Sequence, residues 1–364
     1  MKSFNLKNIE EWYADNSESE LSGLRILFND IEPLINDLSS DYNISILGTS
    51  ENKIPIYKIS IGEGQKRILI WSQMHGNEST GTKAIFDLFK FFNASGKSSD
   101  IKKQILEACT LIFIPLLNPD GAIAYTRENA KDIDLNRDAL SLKAIESKLL
   151  RGVLDEFNPH FCFNLHDQRT IFNVEGTENP ATISFLAPSI DPERTLTKGR
   201  KETMSVIAAM NSMLQQVIPN HVGRYTDKFY PTATGDNFQK LGHNTILIEA
   251  GHFPDDYNRE KTRKYNFLAL LEGINYISIE DDFSDYTPYF EIPNNDSRFL
   301  DIIYENVLVN CEGLEEITSI GVLFKYKILK NNTLEVYEDV QKIGKLENYL
   351  AHSTINLNKK QYFL

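Results

Sequence analysis

The chain has 364 residues, 41% of them hydrophobic and 24% charged, enough for one large domain or for one domain with a small appendage. Its 51 acidic against 38 basic residues leave a formal net charge of −13, which argues against a nucleic-acid partner, because phosphate-backbone binding is driven by Lys and Arg. No stretch approaches the roughly 20 apolar residues that span a bilayer, so no membrane partner is expected.

Residues 1–23 carry no apolar run with a small-residue cleavage pattern, so no secretory signal is read there. Residues 1–45 read as a helical segment packed on the main domain. Ile9, Trp12 and Tyr13 form one apolar cluster, and residues 21–38 hold another. Short apolar runs follow at 54–61, 67–73, 110–116, 160–165, 181–186 and 245–249. Several are nearly continuous in Ile, Leu, Phe and Val, which suits strands buried on both faces. Helical periods at 81–92, 139–157, 193–217 and 259–277 lie between them. That alternation predicts an α/β sandwich with a mostly parallel sheet over residues 46–284. Beyond an acidic turn near residue 280 come Pro288 and Pro293, then alternating runs at 321–329 and 333–337 around Asn331-Asn332. This hairpin signature predicts a small β-rich C-terminal region over 285–364, with an edge extension of the main sheet as the alternative. Cys109, Cys162 and Cys311 read as free thiols of a reducing compartment, and a cytoplasmic location is expected. No feature of the sequence sets an oligomeric state.

Residues 71–80 read WSQMHGNEST, so His75 and Glu78 sit in a Gly-containing turn between an apolar strand and a helix capped by Ser79 or Thr80. A His and a Glu three apart at a strand end can turn toward one point, and their ring nitrogen and carboxylate are ligands for Zn²⁺. In open α/β sheets reactive groups collect beyond the carboxyl ends of the strands. An ordinary polar turn would read the same way, so HxxE carries weight only with partners. His166 ends the run HFCFNL and is the candidate third ligand; a hydrogen-bonded edge histidine is the alternative. Asn164 and Asp167 are its polar neighbours. His160 opens the same strand and belongs at its far end, whereas His252 is close enough in sequence to line the pocket. Glu249 ends the strand TILIE, where a lone carboxylate is costly unless it is hydrogen-bonded or faces a site. Beside a metal-bound water it would serve as general base and acid.

The loop NPDGAIAYTRENAKDIDLNRD contributes Arg127, Asn136 and Arg137. A guanidinium near the metal would stabilise an oxyanion, and an Arg beside an amide donor would grip a substrate carboxylate. A surface loop salt-bridged through Asp132, Asp134 and Asp138 is the alternative.

Taken together, HGNE, NPDG followed by TRENAKDIDLNR, His166 at a strand end and Glu249 in ILIEAG resemble the zinc carboxypeptidase family of metallopeptidases. The resemblance spans about residues 50–280, with His75 and His166 91 residues apart and Glu249 83 residues further on. It implies a mixed, mostly parallel eight-stranded sheet flanked by helices, with one zinc ion on His75, Glu78 and His166 and with Glu249 as general base and acid. By the same resemblance Arg127 polarises the scissile carbonyl, and Asn136 and Arg137 hold the C-terminal carboxylate of a peptide. Asp138 departs from the second Asn that many relatives carry after NR. Tyr225 and Tyr230 compete for the tyrosine that closes over substrate, with Tyr230 nearer the pocket loop. Asp236 would read a basic side chain, or else pair with Arg224 or Lys228. A second resemblance, to zinc deacylases of the aspartoacylase and succinylglutamate desuccinylase group, would make the substrate a small N-acyl amino acid instead.

Overall fold

The computed structural model describes residues 5–94, 99–311 and 314–362, and two short helices, α1 (Leu6–Asn16) and α2 (Phe28–Asn36), open it. The helical stretch ends sooner than the sequence predicts. An edge strand, β1 (Asn43–Thr49), pairs antiparallel with β2 (Pro55–Ile61), and its half-exposed pattern lacks the apolar run that marks the buried strands. The chain continues through β3 (Lys66–Trp71), α3 (Thr80–Asn93), α4 (Ser99–Ala108), β4 (Cys109–Ile114) and α5 (Pro119–Ala124). A 3₁₀ turn at Leu135–Arg137 precedes α6 (Ile145–Phe157), β5 (Phe161–Asp167), β6 (Asn173–Val174) and β7 (Ile183–Leu186). Then come α7 (Lys198–Leu214), β8 (Val222–Arg224), α8 (Thr234–Lys240), β9 (Asn244–Ala250) and α9 (Glu260–Ile279).

Eight strands form one mixed sheet in the order β1-β2-β4-β3-β5-β9-β7-β8, with β4, β3, β5 and β9 parallel at its centre. This is the helix-flanked sheet that the sequence predicts. Alternation along the strands sorts residues to two cores. Ile68, Ile70, Phe163, Leu165 and Ile248 pack under α3, α7 and α9, whereas Leu69, Trp71 and Cys162 meet Leu150 and Leu154 of α6 and Phe238 of α8. Each fully buried side chain of this size contributes about 1.5–3 kcal/mol. Helix α6 starts six residues later than its periodicity suggests, because the Asp138 carboxylate accepts from the N–H groups of Lys143 and Ala144 and holds a loop there. Cys109 and Cys162 are free and buried; the side chain of Cys311 lies outside the described residues.

Beyond a second 3₁₀ turn at Thr287–Glu291, β10 (Asn295–Asp296) pairs with β6. The strands β11 (Phe299–Cys311), β12 (Leu314–Ile328), β13 (Leu334–Gly344) and β14 (Leu350–Asn356) then form a separate sheet in the order β13-β12-β11-β14. The β12–β13 hairpin turns at Asn331-Asn332, with Asn332 in the left-handed region at φ 65°. Among the described residues no helix is long and apolar enough to cross a membrane.

The topology places a crevice over β3 and β5. After β3 the chain leaves toward β4 on one side, and after β5 it leaves toward the other edge. Loops that part in this way open a cleft at the carboxyl ends of the two strands.

Candidate active site

Three segments converge on that cleft. The loop after β3 carries His75 and Glu78 and is folded by its own side chains: Gln73 donates to the carbonyls of Ile26 and Gly76 and accepts from Thr82 Oγ1. Gly76 is required there because a Cβ would stand 1.9 Å from the backbone of Gly121. The missing side chain lets α5, from which the loop containing Arg127 departs, lie directly against the loop containing His75. Helix α3 begins after Ser79, whose hydroxyl is turned away to the Leu24 carbonyl. The Asp167 carboxylate caps it instead, accepting from Thr80 N at 3.3 Å and Thr80 Oγ1 at 2.7 Å. A carboxylate at a helix N-terminus is favourable both as a hydrogen-bond acceptor and against the helix dipole. This cap locks the end of β5 to the end of the His75 loop.

His75, Glu78 and His166 present ligand atoms that all lie within 4.8 Å of one another. His75 Nδ1 is 2.8 Å from Glu78 Oε1, His166 Nδ1 is 2.8 Å from Glu78 Oε2, and the two Nδ1 atoms are 3.1 Å apart. Tetrahedral zinc with N and O ligands near 2.1 Å sets neighbouring ligand atoms roughly 3.4 Å apart. Two buried ring nitrogens aimed at each other cannot both donate and both be satisfied, so this donor set fits a cation at their centre. Asp134 completes the arrangement. Its Oδ1 lies 3.2 Å from His75 Nε2 and its Oδ2 accepts from Arg127 Nε at 2.9 Å. A carboxylate on the non-ligating nitrogen fixes ring orientation and tautomer and strengthens the ligand. Although burial works against it, His75 is pushed up to about 9 by the charge of Glu78 and the Asp134 bond. Burial holds the His166 imidazole neutral by lowering it. Glu78, despite its burial, is held well below the usual carboxylate range by His75 and His166.

Glu249 reaches the site through strand register: it is the partner of His166 across β5 and β9. Burial, reinforced by the nearby Glu78 charge, pushes its carboxyl well above the ordinary range. A carboxyl so displaced beside a cluster of metal-ligand type is suited to proton transfer. Arg127 Nη1 lies 3.1 Å from His75 Nδ1 and 3.6 Å from Glu78 Oε1, so its guanidinium faces the ligand cluster.

A cavity of about 400 Å³ joins His75, Glu78, His166, Glu249 and Arg127 to Asn136, Arg137, Tyr225, Tyr230 and Asp236. The candidate ligands, Glu249, Arg127 and the candidate substrate-binding residues are therefore brought to one cavity. Asn136 spends its amide oxygen on Thr234 N, leaving its amide N–H₂ without a partner among the described residues. Arg137 makes no ion pair among them; its side chain donates only to the Asn136 carbonyl and lies 5.6 Å under the Tyr230 ring. The salt-bridged alternative thus holds for Arg127, which pairs with Asp134, and not for Arg137. Tyr230 is exposed at the cavity mouth, whereas Tyr225 is pushed up to about 12 by burial and by the Glu249 charge. Asp236 pairs with neither Arg224 nor Lys228. Its Oδ1 accepts from Tyr230 N at 3.0 Å, and burial raises it to about 6.

His160 lies at the opposite end of β5, accepting from Arg67 N, and His252 lines a neighbouring pocket rather than the ligand cavity. Asp134 is the residue that sequence reasoning passed over as a surface acid; its place two residues before Asn136 was the available signal. A larger cavity of about 900 Å³ runs along the C-terminal sheet, lined by Glu178, Glu305, Glu316 and Glu347. No ligating cluster is described there, so donor chemistry rather than volume identifies the site.

Comparison with known proteins identifies the family. Residues 31–227, more than half of the chain, match the family model described as zinc carboxypeptidase. Carboxypeptidase 2 of Trichophyton rubrum is 28% identical over 104 residues, covering 28% of this chain and 19% of that protein. Carboxypeptidase SOL1 of Arabidopsis thaliana is 26% identical over 170 residues, covering 42% of this chain and 35% of its own length. The chain thus spans only about a fifth to a third of these curated relatives. Among solved structures, a metallo-carboxypeptidase from Burkholderia cenocepacia superposes with a TM-score of 0.56 at 15% identity, covering 70% of each chain. The carboxypeptidase A of Helicoverpa armigera does so with a TM-score of 0.54 at 13% identity, covering 76% of this chain and 81% of its own. At these identities the superpositions speak to the fold.

Proposed function

The chain belongs to the zinc carboxypeptidase family, and from that premise we propose that it hydrolyses the C-terminal amide bond of a peptide with one zinc ion on His75, Glu78 and His166. The observation that carries this reading is the packing of those three ligand sets within 4.8 Å, with Glu249 beside His166 in register. A bound zinc ion would supply Lewis acidity and a water that ionises near neutral pH. The remaining chemistry belongs to the chain. Asn136 Nδ2 and Arg137 hold the substrate carboxylate, which places the scissile carbonyl between Arg127 and Glu249. Glu249 takes the proton from the attacking water and delivers it to the leaving nitrogen. Arg127, oriented by Asp134, hydrogen-bonds the carbonyl oxygen as negative charge grows on it. Tyr230, above Arg137, covers the terminal residue.

The same carboxylate grip would serve an N-acyl amino acid, but the quoted relatives are named carboxypeptidases and give the deacylase reading no support. Hydrolysis of free, C-amidated and N-acyl substrates by the zinc-loaded protein tests the choice. Cleavage confined to free-carboxyl peptides is expected; turnover of N-acyl amino acids alone would overturn the peptidase reading.

A further inference from the structure

A second pocket of about 310 Å³ adjoins the candidate site. The two cavities share Glu78, Asp167, Gln168 and Arg169, and the second contains neither Asn136 nor Arg137. If the C-terminal carboxylate is held by Asn136 and Arg137, the part of the peptide preceding the scissile bond passes the ligands toward this second pocket. Its outer wall is not part of the sheet-and-helix body. It is formed by Leu323, Phe324, Lys325 and Tyr326 of β12, in the C-terminal sheet.

That wall is fixed in place. Asp301, 1% exposed, accepts from Tyr257 OH at 3.0 Å and from Phe324 N at 2.7 Å, joining the loop after β9 to β12. Arg25 donates to the carbonyl and side chain of Asn332 at the hairpin tip and to the carbonyls of Ala122 and Ile123. Tyr326 packs edge-on to Tyr125, ring centroids 5.9 Å apart, across the pocket. A wall tied at three points can select ligands, because little ordering is left to be done on binding.

The charge of the pocket runs against that of the whole chain, whose net is −13. Arg169, Arg259 and Lys325 line it, and once Glu78 serves as a ligand the one remaining carboxylate is Asp167, which is engaged with Thr80. Arg259 donates only to the carbonyls of Gln168, Ala250 and Gly251. Arg169 is exposed where the two cavities meet and makes no hydrogen bond or ion pair among the described residues. His252, 2% exposed, also lines the pocket, and its Nε2 has no partner there. Lys325 has Asp339 4.0 Å away, so Arg169 is the cation without a described counter-ion, and together with a buried polar atom left unsatisfied it marks a place for an anionic group.

We propose that the C-terminal sheet completes a subsite for the residue preceding the scissile bond, and that this subsite takes a carboxylate-bearing side chain with Arg169 as its counter-ion. The proposal rests on the carboxypeptidase reading and adds a substrate class to it: short peptides with an acidic penultimate residue.

The test uses the zinc-loaded full chain and three acetylated tripeptides, Ac-Ala-X-Ala, with X as Glu, Gln or Lys. A charge-assisted hydrogen bond predicts kcat/KM for the Glu peptide roughly tenfold or more above that for Gln. Arg169→Gln should bring that ratio to about one, and Arg169→Glu should turn the preference toward Lys. Tyr326→Ala should raise KM for the Glu peptide at undiminished zinc content; an unaltered KM removes the sheet from the subsite. Cleavage of all three peptides at equal efficiency, or an acidic preference that survives Arg169→Glu, overturns the inference and leaves the carboxypeptidase reading intact. Failure to cleave any free-carboxyl peptide overturns both.

Discussion

His166 and Glu249 are register partners on the adjacent parallel strands β5 and β9. The third proposed ligand and the proposed acid–base carboxylate are therefore set by one ladder of backbone hydrogen bonds, not by loops. Groups mounted on rigid strands keep a geometry that a mobile loop loses. Replacing Glu249 by Gln preserves shape and removes the basic oxygen. Zinc content should stay near that of the wild type while kcat falls by roughly a hundredfold to ten-thousandfold or more. Metal analysis beside steady-state kinetics checks this, and a Gln variant with ordinary turnover would remove Glu249 from the mechanism.

Asp134 is expected to act on the metal without touching it. Its bond to His75 Nε2 and its ion pair with Arg127 orient a ligand and the carbonyl-polarising group together. Asp134→Asn should weaken zinc affinity about 10- to 100-fold, whereas His166→Ala should abolish stoichiometric binding. Competition with a chromogenic chelator measures both. Equal affinity in wild type and Asp134→Asn would show that the bond to His75 is incidental.

The proposed ligands were legible in the sequence because His166 ends an apolar strand and His75 and Glu78 follow one, and strand ends in a parallel sheet gather at one crevice. Arg127, Asn136 and Arg137 were legible as chemistry but not as geometry. What seats their loop is the contact of Gly76 with Gly121, and a close backbone approach leaves no periodic signal. The capping of α3 by Asp167, 87 residues away, was beyond reach for the same reason: local patterns identify a cap at Ser79 or Thr80 and cannot see a carboxylate arriving from β5. Of the C-terminal strands, the β12–β13 hairpin was legible, whereas β11 and its parallel partner β14 were not. Their place beside the site depends on Asp301 and Arg25, two charged residues without local context.

Arg137 is offered as the grip on the substrate's free carboxylate. Loss of a charge-assisted hydrogen bond is worth about 1.5–3 kcal/mol, so Arg137→Gln should lower kcat/KM for free peptides roughly 10- to 150-fold. The loss should fall mainly on KM, and C-amidated peptides, poor substrates from the start, should be little affected. A variant equally impaired on both kinds of peptide would point to a structural role under Tyr230 instead.

Glu272 on α9 is a half-buried carboxylate whose only described bond is a long one from Asn275 Nδ2 at 3.4 Å. Burial pushes it from 4.5 up to about 7. Between those values the folded state binds more protons than the unfolded chain, so stability falls as pH rises from about 4.5 to about 7 and is level above that. Glu272→Gln should remove this slope and stabilise the protein above pH 7 by about 1–3 kcal/mol after allowance for partial exposure. Urea midpoints for both forms at pH 5 and pH 8 measure it; parallel pH dependence would place the slope elsewhere.

The segment before α2 is held by one buried ion pair. Arg263 of α9 grips Asp87 of α3 through Nε at 2.7 Å and Nη2 at 2.6 Å, and it also donates to the carbonyls of Glu18 and Leu21 and, at 3.3 Å, to the Glu260 carboxylate. Asp87 also accepts from Tyr13 OH and Glu18 N. Both partners shift upward, with opposite consequences for charge: burial pushes Asp87 up despite Arg263, which disfavours the carboxylate, while Arg263, against its own burial, is raised by Asp87, which favours the guanidinium. The two short parallel bonds and the satisfied neighbours argue that both groups are charged. Breaking a buried pair from one side leaves a charge in a poorly polar interior, at a cost of about 3–5 kcal/mol. Arg263→Ala should therefore destabilise the fold by that amount and expose residues 5–21 to limited proteolysis. Replacing both partners by apolar residues should cost much less, since no charge is then stranded. A single variant no less stable than the double one would mean that the pair is not charged in the folded protein.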